Sequence, residues 1–180
     1  DLIATGGTAE AAAKLVEISK AKVSAFVFVS LERMSAALRR RGPDSEGVWV
    51  DQNLEVGFAH RRLTLVDLNA TGAQPMISRN GRYVIVFNGE IYNFRALKAN
   101  NLSQYPFRTQ SDTEVVLAAL ELWGDDALIH LDGMFAIAAW DVQEQRLLLA
   151  RDGQGIKPLY FSKIGSDFVF EMIQKRKIKD

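Results

Sequence analysis

Hydrophobic positions follow one rhythm before residue 47 and another after it. In residues 9–19, good helix formers carry Leu15, Val16 and Ile18 as an apolar side, which predicts a helix. Residues 23–29, VSAFVFV, have the β-branched and aromatic content of a buried strand. Leu31, Met34 and Leu38 share one face of a short amphipathic helix over residues 31–40. That helix stops at Gly42-Pro43, because the residue before a proline avoids helical angles. From Gly47 onward, short strand-like runs dominate. Residues 48–50 and 54–59 predict two strands joined by the polar turn Asp51-Gln52-Asn53. Residues 83–87, YVIVF, are apolar throughout, so both faces of this strand are expected to be covered. A strong helix is predicted over residues 112–122, with Ser111 and Glu114 as a capping-box pair and Gly124 as its C-terminal cap. Residues 134–140, 147–150, 159–161 and 168–170 predict four further strands at hairpin spacing. Many antiparallel strands with few helices make an α+β layered domain.

A length of 180 residues holds one domain, or two very small ones. The 22 Lys and Arg balance the 22 Asp and Glu, so no chain-wide field attracts nucleic acid or acidic lipid. Neither is expected as a partner. Apolar runs such as residues 25–29 and 134–140, seven residues at most, fall far short of the roughly 18 residues that a membrane span needs. Cysteine is absent, which excludes disulfides, thiolate metal sites and a thiol nucleophile within these residues. No basic start leads into an apolar stretch and a small-residue cleavage site, so the expected compartment is the cytoplasm. The glycan-acceptor patterns at Asn69 and Asn101 then read as chance matches. His60 and His130 are single histidines in apolar settings, read as structural, and neither a metal nor a cofactor is expected.

Two stretches offer chemistry. The first, Ala4-Thr5-Gly6-Gly7-Thr8, runs into the first predicted helix. Glycines let backbone N–H groups approach an oxyanion, and a helix N-terminus adds partial positive charge, so a phosphate would fit. The plainer reading is that Thr8 caps a helix after a glycine turn. Residues 1–17, DLIATGGTAEAAAKLVE, with KVSAFVFVSLE behind them, resemble the end of the adenine phosphoribosyltransferase family. That resemblance implies a loop for the 5′-phosphate of phosphoribosyl pyrophosphate, with Asp1 as one of the acids that hold the ribose hydroxyls. The pyrophosphate loop and base-binding part of that family have no counterpart here, so a complete transferase is not expected.

The second is a series of polar blocks. In order they are residues 41–47 (RGPDSEG), 59–67 (AHRRLTLVD), 74–76 (QPM), 88–93 (NGEIYN), 111–114 (SDTE), 131–135 (LDGMF) and 155–160 (GIKPLY). Asn88-Gly89 after an apolar strand is either a plain turn or an oxyanion hole, with a side-chain amide and a backbone N–H aimed at a developing negative charge. Arg62 either grips a carboxylate bidentately or pairs with Asp67. Asp112 either binds an ammonium group or complements the helix dipole.

Taken together, these blocks over residues 33–170 resemble the class II glutamine amidotransferase domain, the N-terminal half of glutamine-hydrolysing asparagine synthetase. The resemblance implies an N-terminal-nucleophile hydrolase-like fold, a four-layer αββα sandwich in which two antiparallel sheets lie between helices. In that family a first-residue cysteine attacks the side-chain amide of glutamine, with its own α-amine as proton acceptor. The ammonia released passes to a separate synthetase domain. By position, Arg62 matches the residue that holds the glutamine α-carboxylate, Asn88 and Gly89 match the oxyanion hole, and Glu90 and Asp112 match residues around the substrate's amino group. Glutamine is the partner this implies.

The nucleophile has no counterpart, since no cysteine is present and Ser24, Ser30 and Ser35 are internal, without a free α-amine. The expectation is therefore glutamine recognition without glutaminase activity. The chain divides into residues 1–32 as the phosphoribosyltransferase-like segment, 33–170 as the amidotransferase-like domain and 171–180 as a basic tail. Residues 23–29 are expected to fill the position of the family's first strand, and the join of the two resemblances reads alike as a natural fusion, a designed chimera or a generated sequence. Gly153-Gln154 stands where that family has an arginine and an apolar residue, which leaves the packing of that loop open.

Overall fold

The computed structural model describes residues 35, 45–51, 56–62, 72–164 and 167–172. The helix expected at 9–19, the strand at 23–29 and the phosphate loop lie outside them, as does the helix at 31–40 apart from Ser35. Eight strands are described: β1 (Ser45–Asp51), β2 (Val56–Arg62), β3 (Met76–Ile77), β4 (Tyr83–Ile91), β5 (Gly133–Asp141), β6 (Arg146–Arg151), β7 (Tyr160–Ile164) and β8 (Asp167–Glu171). Two α-helices, α1 (Phe94–Asn100) and α2 (Asp112–Trp123), and a 3₁₀ helix, η1 (Gly124–His130), fall between β4 and β5. Strands β3-β4-β5-β6 form the central sheet, while β1-β2 and β7-β8 form two ribbons. Every pairing among the described residues is antiparallel.

Strand alternation divides the core in two. Tyr83, Ile85 and Phe87 of β4, with Phe135, Ile137 and Ala139 of β5, pack under Val115, Val116, Leu117 and Leu120 of α2. Val84 and Val86, with Ala138 and Trp140, face the other way onto Phe58 of β2, joined by Trp49 of β1 and Phe170 of β8. The run YVIVF is thus covered on both faces, as its composition requires. Phe58 anchors the second layer, meeting Phe170 edge-on at 5.5 Å between ring centroids and Trp49 at 5.9 Å. Each fully buried side chain of this size contributes about 1.5–3 kcal/mol.

Residues Thr113 to Leu120 of α2 are all buried, and small Ala118 and Ala119 let the helix press close. Ser111 caps it by accepting the Thr113 N–H at 3.1 Å. Gly124 closes it at φ +59°, its N–H donating to the Leu120 carbonyl. Only half of the expected capping box forms. Glu114 turns away from Ser111 and accepts the N–H groups of Arg108 (2.9 Å) and Thr109 (2.6 Å), with the Arg108 guanidinium 3.6 Å away. The Ser111 N–H donates instead to Thr109 Oγ1 at 3.0 Å. Glu114 is 1% exposed. Burial pushes its carboxyl up, but these donors outweigh burial and hold it below its ordinary value.

Five elements are notable departures from the sequence expectation. Asp51 belongs to β1, opposite Val56, rather than to the turn that follows. Strand β4 continues through Asn88 and Gly89 to Ile91, so this dipeptide is not a turn. Helix α1, strand β3 and η1 appear where no element is expected. Helix α1 has seven residues and no side-chain cap, and β3 has two residues, too short for a periodic signal.

Replacing Glu114 with Ala strands two backbone donors and is expected to cost about 1–3 kcal/mol per unsatisfied group in denaturant unfolding at neutral pH. Because the folded carboxyl titrates below its unfolded value, its stabilisation is complete above about pH 4.3 and is lost as pH falls through the folded value. Glu114→Gln should therefore flatten the decline of stability below that pH. An unchanged acid slope would exclude this linkage.

Candidate functional site

Most of the described sequence-selected residues lie along or beside β4. At one end of the ladder the Val142 N–H donates to the Arg82 carbonyl at 2.8 Å, and at the other the Tyr92 N–H donates to the Asp132 carbonyl at 2.7 Å. In an antiparallel pair, hydrogen-bonded and open positions alternate. With Tyr83 opposite Asp141 and Ile91 opposite Gly133, the even-numbered residues of β4 face β5. Gly89 therefore directs its N–H and C=O away from β5. Phe135, opposite Gly89, likewise turns outward. Its carbonyl accepts the Asp152 N–H at 2.8 Å, and its N–H donates to Asp152 Oδ2 at 3.2 Å.

On the edge that Gly89 faces, β3 pairs only with Val84 and Ile85. Beyond it, side chains replace the strand. The Phe87 N–H donates to Gln74 Oε1 at 2.6 Å, and the Ile91 N–H donates to Asp112 Oδ2 at 3.1 Å. The Gly89 N–H lies between these two, and no described side chain accepts it. Glycine is required here because β5 passes so close: a Cβ would collide with the Met134 carbonyl and lie 2.7 Å from Phe135 Cα.

Other sequence-selected residues gather unevenly around this edge. Asp112 is the first residue of α2 and half-buried. Burial pushes its carboxyl above the ordinary value, the N–H groups of Ile91, Thr113 and Asp112 itself oppose this, and the charge of Glu90 adds to the rise. Glu90 is exposed, opposite Met134. Asn88 pairs with Ala136, and its Nδ2 donates to the Met172 carbonyl at 2.5 Å. Arg62 ends β2, opposite Ser45, in the layer that covers the other face of β4. Asp1, Ala4, Thr5, Gly6, Gly7 and Thr8 lie outside the described residues. His60 is in β2 opposite Gly47, and exposed His130 lies with its ring 4.2 Å from that of Trp123. Among the described residues, no group of three or more His, Asp or Glu is placed to hold a metal.

Two residues without an assigned role in the sequence prove central. Gln74, ahead of a cis bond to Pro75, occupies the edge where β3 stops. Its signal was the polar block 74–76. Asp152, 5% exposed, accepts the N–H groups of Phe135, Ile156 (2.8 Å) and Lys157 (2.9 Å). These donors, Lys157 foremost, hold its carboxyl below the ordinary value. The loop after β6 is tied at Asp152 and by the Arg151 guanidinium on the Gly155 carbonyl, whereas Gly153 and Gln154 are exposed. A cavity of about 500 Å³ opens beside this loop, lined in part by Tyr92, Asp132, Gly133 and Arg151. It includes none of Asn88, Gly89, Glu90 or Asp112.

A family profile described as the glutamine amidotransferase domain matches residues 16–175. The chain belongs to this family. Among curated relatives, asparagine synthetase [glutamine-hydrolyzing] 3 of Bacillus subtilis is 40% identical over 144 residues, 78% of this chain and 23% of its own length. Asparagine synthetase B of Escherichia coli is 44% identical over 127 residues, 71% of this chain and 22% of its own. Amidase chry2 of Gibberella zeae is 38% identical over 136 residues, 76% of this chain and 20% of its own. This amidotransferase domain thus spans less than a quarter of these relatives. Among solved structures, the glutamine phosphoribosylpyrophosphate amidotransferase of Bacillus subtilis superposes with a TM-score of 0.59 at 22% identity, covering 75% of this chain and 37% of that one. The fold is the α+β, N-terminal-nucleophile hydrolase type that the sequence resemblance implies. Among the described residues, no helix is long and apolar enough to cross a membrane.

Gly89→Ala is expected to force β4 and β5 apart and cost about 1–3 kcal/mol, measured by chemical denaturation. A neutral effect would mean that the close approach at Phe135 relaxes freely.

Proposed function

We propose that the amidotransferase domain binds glutamine along the open edge of β4. The observation that carries this reading is the outward Gly89 N–H, flanked two residues later by the Ile91–Asp112 contact. A donor aimed away from its own sheet suits the oxygen of a side-chain amide, and stabilises it further as negative charge develops there. Asp112 and Glu90 supply the negative charge that an α-ammonium requires, and Arg62 supplies the bidentate cation for the α-carboxylate. Asn88 adds its second amide N–H, the first being engaged by the Met172 carbonyl.

Hydrolysis by the family's route needs a first-residue cysteine, and these 180 residues include no cysteine. On their own they are proposed to hold glutamine without turning it over, because an oxyanion hole without its nucleophile leaves only residual catalysis. The names of the relatives support a wider role in which ammonia from glutamine is passed to a separate synthetase domain for asparagine synthesis. Residues 23–29 are proposed to complete the sheet as a substitute first strand.

Calorimetric titration with glutamine tests the reading. Binding should weaken by roughly 1.5–3 kcal/mol in Arg62→Ala, the range for hydrogen bonds to a charged group. The same protein should release no glutamate above buffer, and clear turnover would overturn the claim of inactivity. Only the ionised Asp112 pairs with an ammonium, so affinity should be full above its raised pKa and fall as pH drops through it. The unliganded fold runs oppositely: this group's stabilisation is complete below about pH 3.9 and lost as pH rises through the folded value. An affinity independent of pH across that window would remove Asp112 from the site.

A further inference from the structure

We propose that Gln74 is a positioning residue that holds the two halves of the glutamine site in register. The inference rests on the reading above and concerns a side chain that touches no substrate group in it. Gln74 Oε1 accepts the Phe87 N–H at 2.6 Å, and its Nε2 donates to Thr113 Oγ1 at 3.4 Å. Phe87 precedes Gly89 by two residues on the same edge, and Thr113 follows Asp112 in the first turn of α2. One amide therefore joins the strand that carries the oxyanion donor to the helix that carries the ammonium acceptor.

The local chain explains why a side chain does this work. With Met76 opposite Ile85 and Ile77 opposite Val84, continuing the register would place Gln74 opposite Phe87. The strand itself begins only at Met76, so no backbone of β3 pairs with Phe87. The side-chain carbonyl of Gln74 takes the place of the missing strand acceptor. Its backbone is held from the other side, since a Cβ on Gly47 of β1 would collide with the Gln74 carbonyl. Gln74 is half-buried, and Thr113 is 3% exposed, so solvent competes little for the second bond.

The edge beyond β3 then has two props, Gln74 at Phe87 and Asp112 at Ile91, with Gly89 midway. Removing the first prop frees the edge to bend, which re-aims the Gly89 N–H. Removing only the Thr113 link leaves the strand in place but loosens the helix turn that presents Asp112. The two contacts are therefore separable by mutation.

The test uses the whole chain with two substitutions and two readouts. Gln74→Met keeps length and volume but loses both bonds, and Thr113→Val loses only the helix-side bond. Amide hydrogen exchange by NMR follows Phe87 and Gly89, while calorimetry gives glutamine affinity. In folded Gln74→Met, faster exchange at both amides and an affinity loss of about tenfold are expected. In Thr113→Val, affinity should fall with the Gly89 amide unchanged. A change confined to Phe87, with Gly89 and affinity unaltered, would overturn the proposal and leave Gln74 a local structural contact. If Gln74→Met does not fold, Thr113→Val decides, and unaltered affinity there overturns it. If the unmodified chain binds no glutamine, the functional reading fails separately, and exchange at Gly89 in Gln74→Met still decides whether Gln74 sets that edge.

Discussion

An interior strand must satisfy backbone groups along both of its edges, and among the described residues β4 has a full-length neighbour on only one. Strand β5 pairs with it from Tyr83 to Ile91, whereas β3 covers two residues. Unpaired backbone groups in a core are costly, so the chain answers with side chains: Ser78 at Tyr83, Gln74 at Phe87, Asp112 at Ile91. Among the described residues, Gly89 stands between these contacts with its N–H directed outward and no side chain accepting it.

Much of the fold follows from this strand and its partner. The run YVIVF is apolar at every position because α2 covers its odd residues, while Phe58 with Trp49 covers its even ones. That pattern was legible in the sequence, as were α2, its Ser111 and Gly124 caps, and the hairpins β5-β6 and β7-β8, although β6 and β7 do not pair with each other. Strand β3 and helix α1 were not, since two and seven residues carry too little periodicity to stand out. The end of β4 was ambiguous for a different reason. Asn-Gly is the commonest hairpin dipeptide, and only the tertiary approach of β5 makes a glycine necessary inside a strand.

Site legibility was similarly divided. Residue types that suit an α-amino-acid amide were visible as separated blocks, and the structure sets Asn88, Gly89, Glu90 and Asp112 around one stretch of β4. Gln74 and Asp152 act through backbone groups of other residues, Phe87 and Phe135, and such contacts leave no spacing signature. Glu114 misled for the same reason: a glutamate three residues after a serine looks like a capping box, but the loop at Arg108 and Thr109 offered better donors.

The pairing of Gly89 with Phe135 has a consequence for how such a sequence can change. Side-chain faces and hydrogen-bonding edges share one period of two residues, so a single-residue slip of β4 against β5 reverses both at once. The helix-facing residues Tyr83, Ile85 and Phe87 would turn toward the ribbon layer, and the Gly89 donor would turn inward to its neighbour. A one-residue insertion or deletion in β4 is thus penalised by the core before any ligand is present. Packing alone therefore keeps the reading frame of β4, and with it the direction of the Gly89 N–H.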